Sequence, residues 1–229
     1  MVPISAIRTM STRTSSYLDA IEHLPGDAVL VFHDVTWSEY EHLTTDMGEA
    51  WPSMRVTYNK GRLQIVSASS KHEMIKTFVD NLVAAFCDEK AIVMENLGGT
   101  GFKRERAEHG VEPDVCFYVT NIAHVVGLDE MDPDVVPPPD VVVEIDITNS
   151  STVKFEIYAA FAVPEIWRYF RQRLHMYRLA GKDYVEISSS IAFPGLTAEI
   201  VTRFIEQSRR EGRTPTLAAF RQWARGTRA

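Results

Sequence analysis

A chain of 229 residues can bury one sizeable core, and 45% hydrophobic with 24% charged content is that of a globular domain rather than a disordered or fibrous chain. The formal charge of −7 argues against a protein that coats nucleic acid non-specifically, and no run approaches the roughly 18 apolar residues that cross a bilayer. Two cysteines, Cys87 and Cys116, are too few for a disulfide framework or a cysteine-rich zinc site. Residues 1–20 are rich in Ser and Thr and lack the apolar stretch of a secretory signal, so the cytoplasm is the expected address. The charge is uneven: from residue 197 onward seven Arg face three Glu, which makes a basic tail on an acidic body.

Residues 1–25 carry no hydrophobic period and are expected to be disordered. Thr36-Trp37-Ser38-Glu39 has the spacing of a capping box and opens a short helix that stops before Gly48. Alternating runs at 54–58 and 63–67 flank Asn59-Lys60-Gly61 and predict a β-hairpin. A second box, Ser70-Lys71-His72-Glu73, opens the most regular helix, with Met74, Ile75, Phe78, Val79, Leu82, Val83 and Phe86 on one stripe. Strands are expected at 91–95, 111–119 and 141–148, with Gly98-Gly99-Thr100-Gly101 as a hairpin turn.

Asn149-Ser150-Ser151 caps a helix over 152–161, and strands follow at 166–170, 174–179 and 184–187. Ile200, Phe204, Leu217, Phe220 and Trp223 mark an amphipathic helical pair broken at 212–215. Interleaved strands and helices predict an α/β (α+β) fold, a mixed sheet covered by helices. The main domain is expected over 26–196. The helical extension at 197–229 would pack on that domain or on a second subunit of a homodimer.

Alternation along the strands decides which polar residues share a face. Val115, Phe117 and Val119 lie on one side of theirs, opposite Glu112, Asp114 and Cys116. In the next, Val141, Val143, Ile145 and Ile147 lie opposite Val142, Glu144 and Asp146. Glu144 stands among valines and isoleucines in a strand buried on both faces, a costly place for a carboxylate without a positive partner. Two carboxylates presented by two strands suit a hard divalent cation such as Mg²⁺. Lys154, in the first turn of the following helix, opposes the positive end of the helix dipole, a disfavour that nearby carboxylates or a phosphate would reverse. Taken singly, each residue has a plainer reading: Asp114 as a turn acid after Pro113, Glu144 as half of a structural ion pair, Lys154 as a solvated lysine. His72 reads equally as an exposed polar residue, a cap partner or a site residue that meets phosphate. Gly98-Gly99-Thr100-Gly101 lacks the Lys-Ser/Thr that completes a phosphate loop.

In order and spacing, a set of short segments resembles the Uma-type family of restriction-endonuclease-like bacterial proteins, assigned to the PD-(D/E)XK nuclease superfamily. The segments are Tyr58-Asn59-Lys60-Gly61-Arg62-Leu63, Ser67-Ala68-Ser69-Ser70-Lys71-His72, Glu112-Pro113-Asp114-Val115 and Val141-Val142-Val143-Glu144-Ile145. Lys154 four before Tyr158, Val163-Pro164-Glu165-Ile166-Trp167 and Phe193-Pro194-Gly195-Leu196 complete the set. The resemblance implies a PD-(D/E)XK core with flanking helices and an endonuclease that hydrolyses DNA with Mg²⁺ or Mn²⁺. Asp114 and Glu144, with the Ile145 carbonyl, would hold the metal; Lys154 would be the catalytic lysine, displaced from the position of Asp146; His72 would contact substrate. Two departures stand out: Arg62 where the family usually has an acid, and Asp146 where many relatives are apolar. Arg62 also leaves room for a different class of function, a nuclease fold retained without catalysis to bind nucleic acid or a protein partner.

Overall fold

The computed structural model describes residues 12–227 except 23, 49–50, 52, 129–133 and 148–149. The chain begins with α1 (Thr12–Ile21), β1 (Val29–Phe32), α2 (Trp37–Met47), the hairpin β2 (Met54–Asn59) and β3 (Arg62–Ser67), and the long α3 (Ser70–Lys90). Short strands follow: β4 (Glu95–Asn96), β5 (Phe102–Arg104), β6 (His109–Val111) and β7 (Val115–Tyr118). Then come β8 (Val141–Asp146), a 3-10 turn (Ser151–Lys154), α4 (Phe155–Ala160), β9 (Glu165–Phe170), β10 (Arg173–Ala180) and β11 (Asp183–Ile187). Helices α5 (Ala198–Glu211) and α6 (Arg213–Gly226) close the described chain.

These strands form two sheets. One is antiparallel, in the order β1-β3-β2-β6-β5; the other runs β11-β10-β9-β8-β7-β4 and is antiparallel except for the parallel pair β8–β9. That parallel pair requires a crossover, and the segment carrying Lys154 and α4 provides it. The architecture is the mixed α/β arrangement that interleaved elements predict. Helices α3, α5 and α6 cover one face of the larger sheet, burying Phe78, Leu82, Phe86, Phe204 and Phe220 against Val115, Phe117, Val143 and Trp167. On its other face Cys116 and Val142 pack with Ile157 and Tyr158 of α4. The faces of β7 and β8 are therefore those read from alternation.

The hairpin at Lys60-Gly61 turns through two residues of positive φ, 47° and 86°, the backbone of a type I′ turn. Thr36 caps α2 with both hydrogen bonds of its box. The stripe of the tail is buried on the body: Phe204 and Phe220 enter the core, and Ile200, Leu217 and Trp223 pack against it. This stripe therefore offers no support for a homodimer. Cys87 and Cys116 are both buried free thiols. Among the described residues no helix is long and apolar enough to cross a membrane.

Several local expectations are corrected. The segment 1–25 is not irregular throughout: α1 buries Tyr17 and Ile21, one helical turn apart, against a smaller core that includes Tyr40 and Leu43. Leu18 and Leu24 pack against the same core, so Tyr17, Leu18, Ile21 and Leu24 carry a short helical period; residues 1–11 lie outside the described chain. Helix α3 is capped by Ser69 rather than Ser70, and Met74 of its expected stripe is 71% exposed. The run 91–95 is mostly loop, because Ala91 ends α3 with φ 52° and only Glu95–Asn96 pairs as a strand. Gly98-Gly99-Thr100-Gly101 joins β4 of one sheet to β5 of the other, so it is not a hairpin turn. The run 111–119 is split, because Glu112-Pro113-Asp114 carries the chain from the smaller sheet to the larger and Pro113 has no N–H to give either ladder. The helix expected over 152–161 starts as the 3-10 turn Ser151–Lys154, capped by Ser150; Asn149 lies outside the described residues.

Candidate active site

The break after β6 fixes Asp114. Its backbone N–H donates to Val143 O at 3.1 Å, and its Oδ2 accepts from Ile145 N at 2.7 Å, so main chain and side chain are both tied to β8. The register pairs Val115 with Val143, so Asp114, the residue before β7, lies at the end of this ladder, and its carboxylate and that of Glu144 line one cleft. The two sheets thus part where two buried carboxylates meet.

Each carboxylate has its own cation. Lys154 Nζ donates to Glu144 Oε2 at 2.8 Å and Oε1 at 3.0 Å, and to Glu112 O at 3.0 Å. The Tyr158 hydroxyl, one turn further along, also donates to Glu144 Oε1. His72 Nε2 lies 3.0 Å from Asp114 Oδ2, and Arg55 Nε lies 3.6 Å from Asp114 Oδ1. Glu73 adds a second carboxylate beside His72, 3.3 Å from Nδ1. Asp114, Glu144 and Lys154 are each at most 5% exposed.

This packing sets the charges. Burial pushes the Glu144 carboxyl up to about 7, against the pull of the Lys154 ammonium. Burial works the other way on Lys154, but the charges of Glu144 and Asp114 outweigh it and raise its pKa, so the ammonium keeps its proton. For Asp114, burial is overcome by the hydrogen bond and charge of His72, and the carboxyl sits below its usual range. Burial of His72 is likewise overcome by Asp114, so the imidazolium is favoured. Glu112 is raised by burial despite the bond from Val56 N.

Asp114, Glu144, Ile145, Lys154 and His72, all singled out from the sequence, line one narrow cleft of about 40 Å³. The structure adds two details to that expectation. Lys154 ends the 3-10 turn and is the N-cap of α4, so it stands at the helix start, one residue before the first helical turn, and its side chain reaches back to Glu144 of β8. His72 Nε2 is held by Asp114, a partner that its place in the helix does not announce. Asp146 also lines the cleft, where it accepts from Ser151 N at 3.0 Å and pairs with Arg168 at 2.5 Å. Arg62 sits beside the hairpin turn, paired with Asn59, whereas Gln64 and Val66 of the same strand line the cleft.

Tyr158, Arg55 and Glu73 were not picked out as site residues from the sequence. For Tyr158 a signal existed, since it follows Lys154 by four and so shares its helix face. Nothing in the sequence brings Arg55 to Asp114.

The family described as Uma2, putative restriction endonuclease, matches residues 37–206. The chain belongs to the Uma2 family. The match spans every residue of the cleft except Asp27, and all but the end of α5 and α6 in the tail. A solved structure titled as a putative nuclease belonging to DUF820 from Anabaena variabilis ATCC 29413 is 14% identical, with 66% of this chain and 90% of that one covered and a TM-score of 0.47. A search of curated proteins finds no match.

A divalent cation suits the donors of this cleft. Paired carboxylates with a main-chain carbonyl beside them are ligands of hard cations, which retain waters for the remaining positions. Glu144 already has both oxygens engaged, so a metal ion there would share it with Lys154. Among the described residues no three His, Cys, Asp or Glu side chains form a metal-holding group. Such an ion would have the carboxylates of Asp114 and Glu144 and water as its ligands here.

Proposed function

We propose that this Uma2-family protein is an endonuclease that hydrolyses DNA phosphodiester bonds with Mg²⁺ or Mn²⁺, and that it works in the cytoplasm. The observation that carries the reading is that the buried carboxylates of Asp114 and Glu144 line one cleft, with His72 on the first and Lys154 on the second. Asp114, Glu144 and the Ile145 carbonyl are the groups that would hold the cation. When bound, the ion supplies Lewis-acid polarisation of a phosphoryl oxygen and lowers the pKa of a water.

The chain's own residues would do the rest. Lys154, held protonated by Glu144 and Asp114, offers a fixed ammonium to the charge that develops on phosphate. The Ile145 N–H and His72 fix the orientation of Asp114, and Tyr158 with Lys154 fixes that of Glu144. Both acids are thereby set before substrate arrives.

A non-catalytic nuclease-like module is the second reading, and two observations favour it: Arg62 in place of an acid, and a Glu144 already saturated by Lys154 and Tyr158. Calorimetric titration with Mn²⁺, followed by nicking of supercoiled plasmid, separates the two. The nuclease reading expects heat of binding that disappears in Glu144→Ala, and nicking that stops with EDTA. Absence of both in the folded wild type contradicts it.

A further inference from the structure

A groove of about 720 Å³ runs between the first turns of α3 and the end of α5, beside the cleft but distinct from it. Its floor is apolar. Phe78 and Ile205 form part of it, and Met74 on the same lining is 71% exposed, an apolar side chain open to a ligand. Its rim is basic. Lys71, Arg209 and Arg213 line the groove. The two guanidinium groups are held by neutral amides, Arg209 by Gln172 Oε1 at 3.4 Å and Arg213 by Asn81 Oδ1 at 2.6 Å. Both side chains are exposed, and neither pairs with a carboxylate among the described residues. The one acid on the lining, Glu73, is already opposed by Lys76 at 3.3 Å and Arg55 at 3.6 Å.

On a protein of net charge −7, a groove with three such cations selects a polyanion. The apolar floor narrows the choice further. A duplex offers phosphates outside and keeps its bases stacked, whereas an unpaired strand also presents base faces that apolar side chains can cover. The groove also leads to the site: Ala68 lines both groove and cleft, and His72, between Lys71 and Glu73, reaches Asp114. We propose that this groove binds a single strand of DNA, its phosphates on Lys71, Arg209 and Arg213 and a base on Met74, and leads the strand past His72 into the cleft. The inference rests on the nuclease reading for its choice of polyanion and deepens it: the substrate is unpaired.

The test is fluorescence anisotropy in EDTA with the full chain and a fluorescein-labelled oligo-dT of about 15 nucleotides, a length that fills such grooves. Its duplex with oligo-dA and a poly-glutamate competitor are run beside it. The single strand should bind more tightly than the duplex, and poly-glutamate should compete poorly. Lys71→Glu and Arg209→Glu should each weaken single-strand binding about tenfold. Each should also lower the log–log slope of affinity against salt by about 0.7 for every phosphate that the variant no longer neutralises. Lys71→Glu places an acid in the first turn of α3, where the helix dipole favours it, so its fold should survive. Met74→Ala, at an exposed position, should weaken the single strand and leave duplex binding unchanged.

Binding by the two charge-reversed variants equal to that of wild type, preference for the duplex, or displacement by poly-glutamate overturns the proposal. Failure of the nuclease reading is separate: wild type that binds the strand through these residues but cleaves nothing keeps the groove and loses the enzyme. Wild type that cleaves DNA, with reversal variants that bind and cleave equally well, keeps the enzyme and loses the groove.

Discussion

Lys154 Nζ contacts both carboxylate oxygens of Glu144, at 2.8 and 3.0 Å, and the two side chains are 6% and 3% exposed. The cation that a carboxylate among valines requires therefore comes from the crossover between β8 and β9, the element that makes those strands parallel. This pair has a structural and a chemical side, and the two can be measured apart.

On the structural side, removing one partner leaves the other buried and unpaired. Lys154→Met in EDTA is expected to cost about 3–5 kcal/mol of unfolding free energy in a urea titration. Glu144→Leu with Lys154→Met, which removes both charges, should recover most of that loss. A double variant as unstable as the sum of the singles would show that the two side chains are not coupled.

The His72–Asp114 contact predicts a pH dependence. The Asp114 carboxyl sits below its ordinary value of 3.8, so its contribution is present above about pH 4 and lost as pH falls through the depressed value. His72 is raised above 6.5, so its contribution is full below that pH and lost as pH rises through the raised value. Between these limits both are charged. The stability lost in His72→Asn, measured in EDTA, should therefore peak near about pH 5 and shrink in mildly alkaline buffer. A loss independent of pH from about 5 to 9 would mean that the imidazole contributes packing and no charge.

The tail supplies core. Phe220 is fully buried, stacks edge-on against Phe204 with centroids 5.0 Å apart, and lies 5.3 Å from Trp223. Phe220→Ala should cost about 3–5 kcal/mol. Truncation after Leu196 should expose the face of α3 and the larger sheet, giving insoluble or associated protein. A truncated protein with unchanged melting and sedimentation would contradict this placement.

The most legible parts of the sequence are those whose signals are local. The capping box of α2, the hairpin at Lys60-Gly61 and the alternation that separates Glu144 from Val143 each depend on neighbours within a few residues. Asp114, Glu144, Lys154 and His72 could be chosen because burial makes a lone carboxylate conspicuous and because their order matches a family pattern. What stays hidden depends on distance in the chain. The transfer of Glu112-Pro113-Asp114 between sheets and the approach of Arg55 to Asp114 are tertiary events with no local period. His72 shows the same limit, since its helix position could be read but its bond to Asp114 could not.

Lys154 provides the most direct test of the account. Single- and double-stranded DNA and RNA are incubated with wild type, Lys154→Ala, Lys154→Arg and Asp114→Ala in Mg²⁺ or Mn²⁺, each variant first checked for folding. The expected result is metal-dependent DNA cleavage by wild type, reduced on the order of 100-fold in Lys154→Ala. Lys154→Arg should recover little of it, because a planar guanidinium does not reproduce the compact ammonium on Glu144. Asp114→Ala should be inactive. Equal cleavage by all four proteins, or none by folded wild type with either metal, would contradict a nuclease site built on Asp114, Glu144 and Lys154.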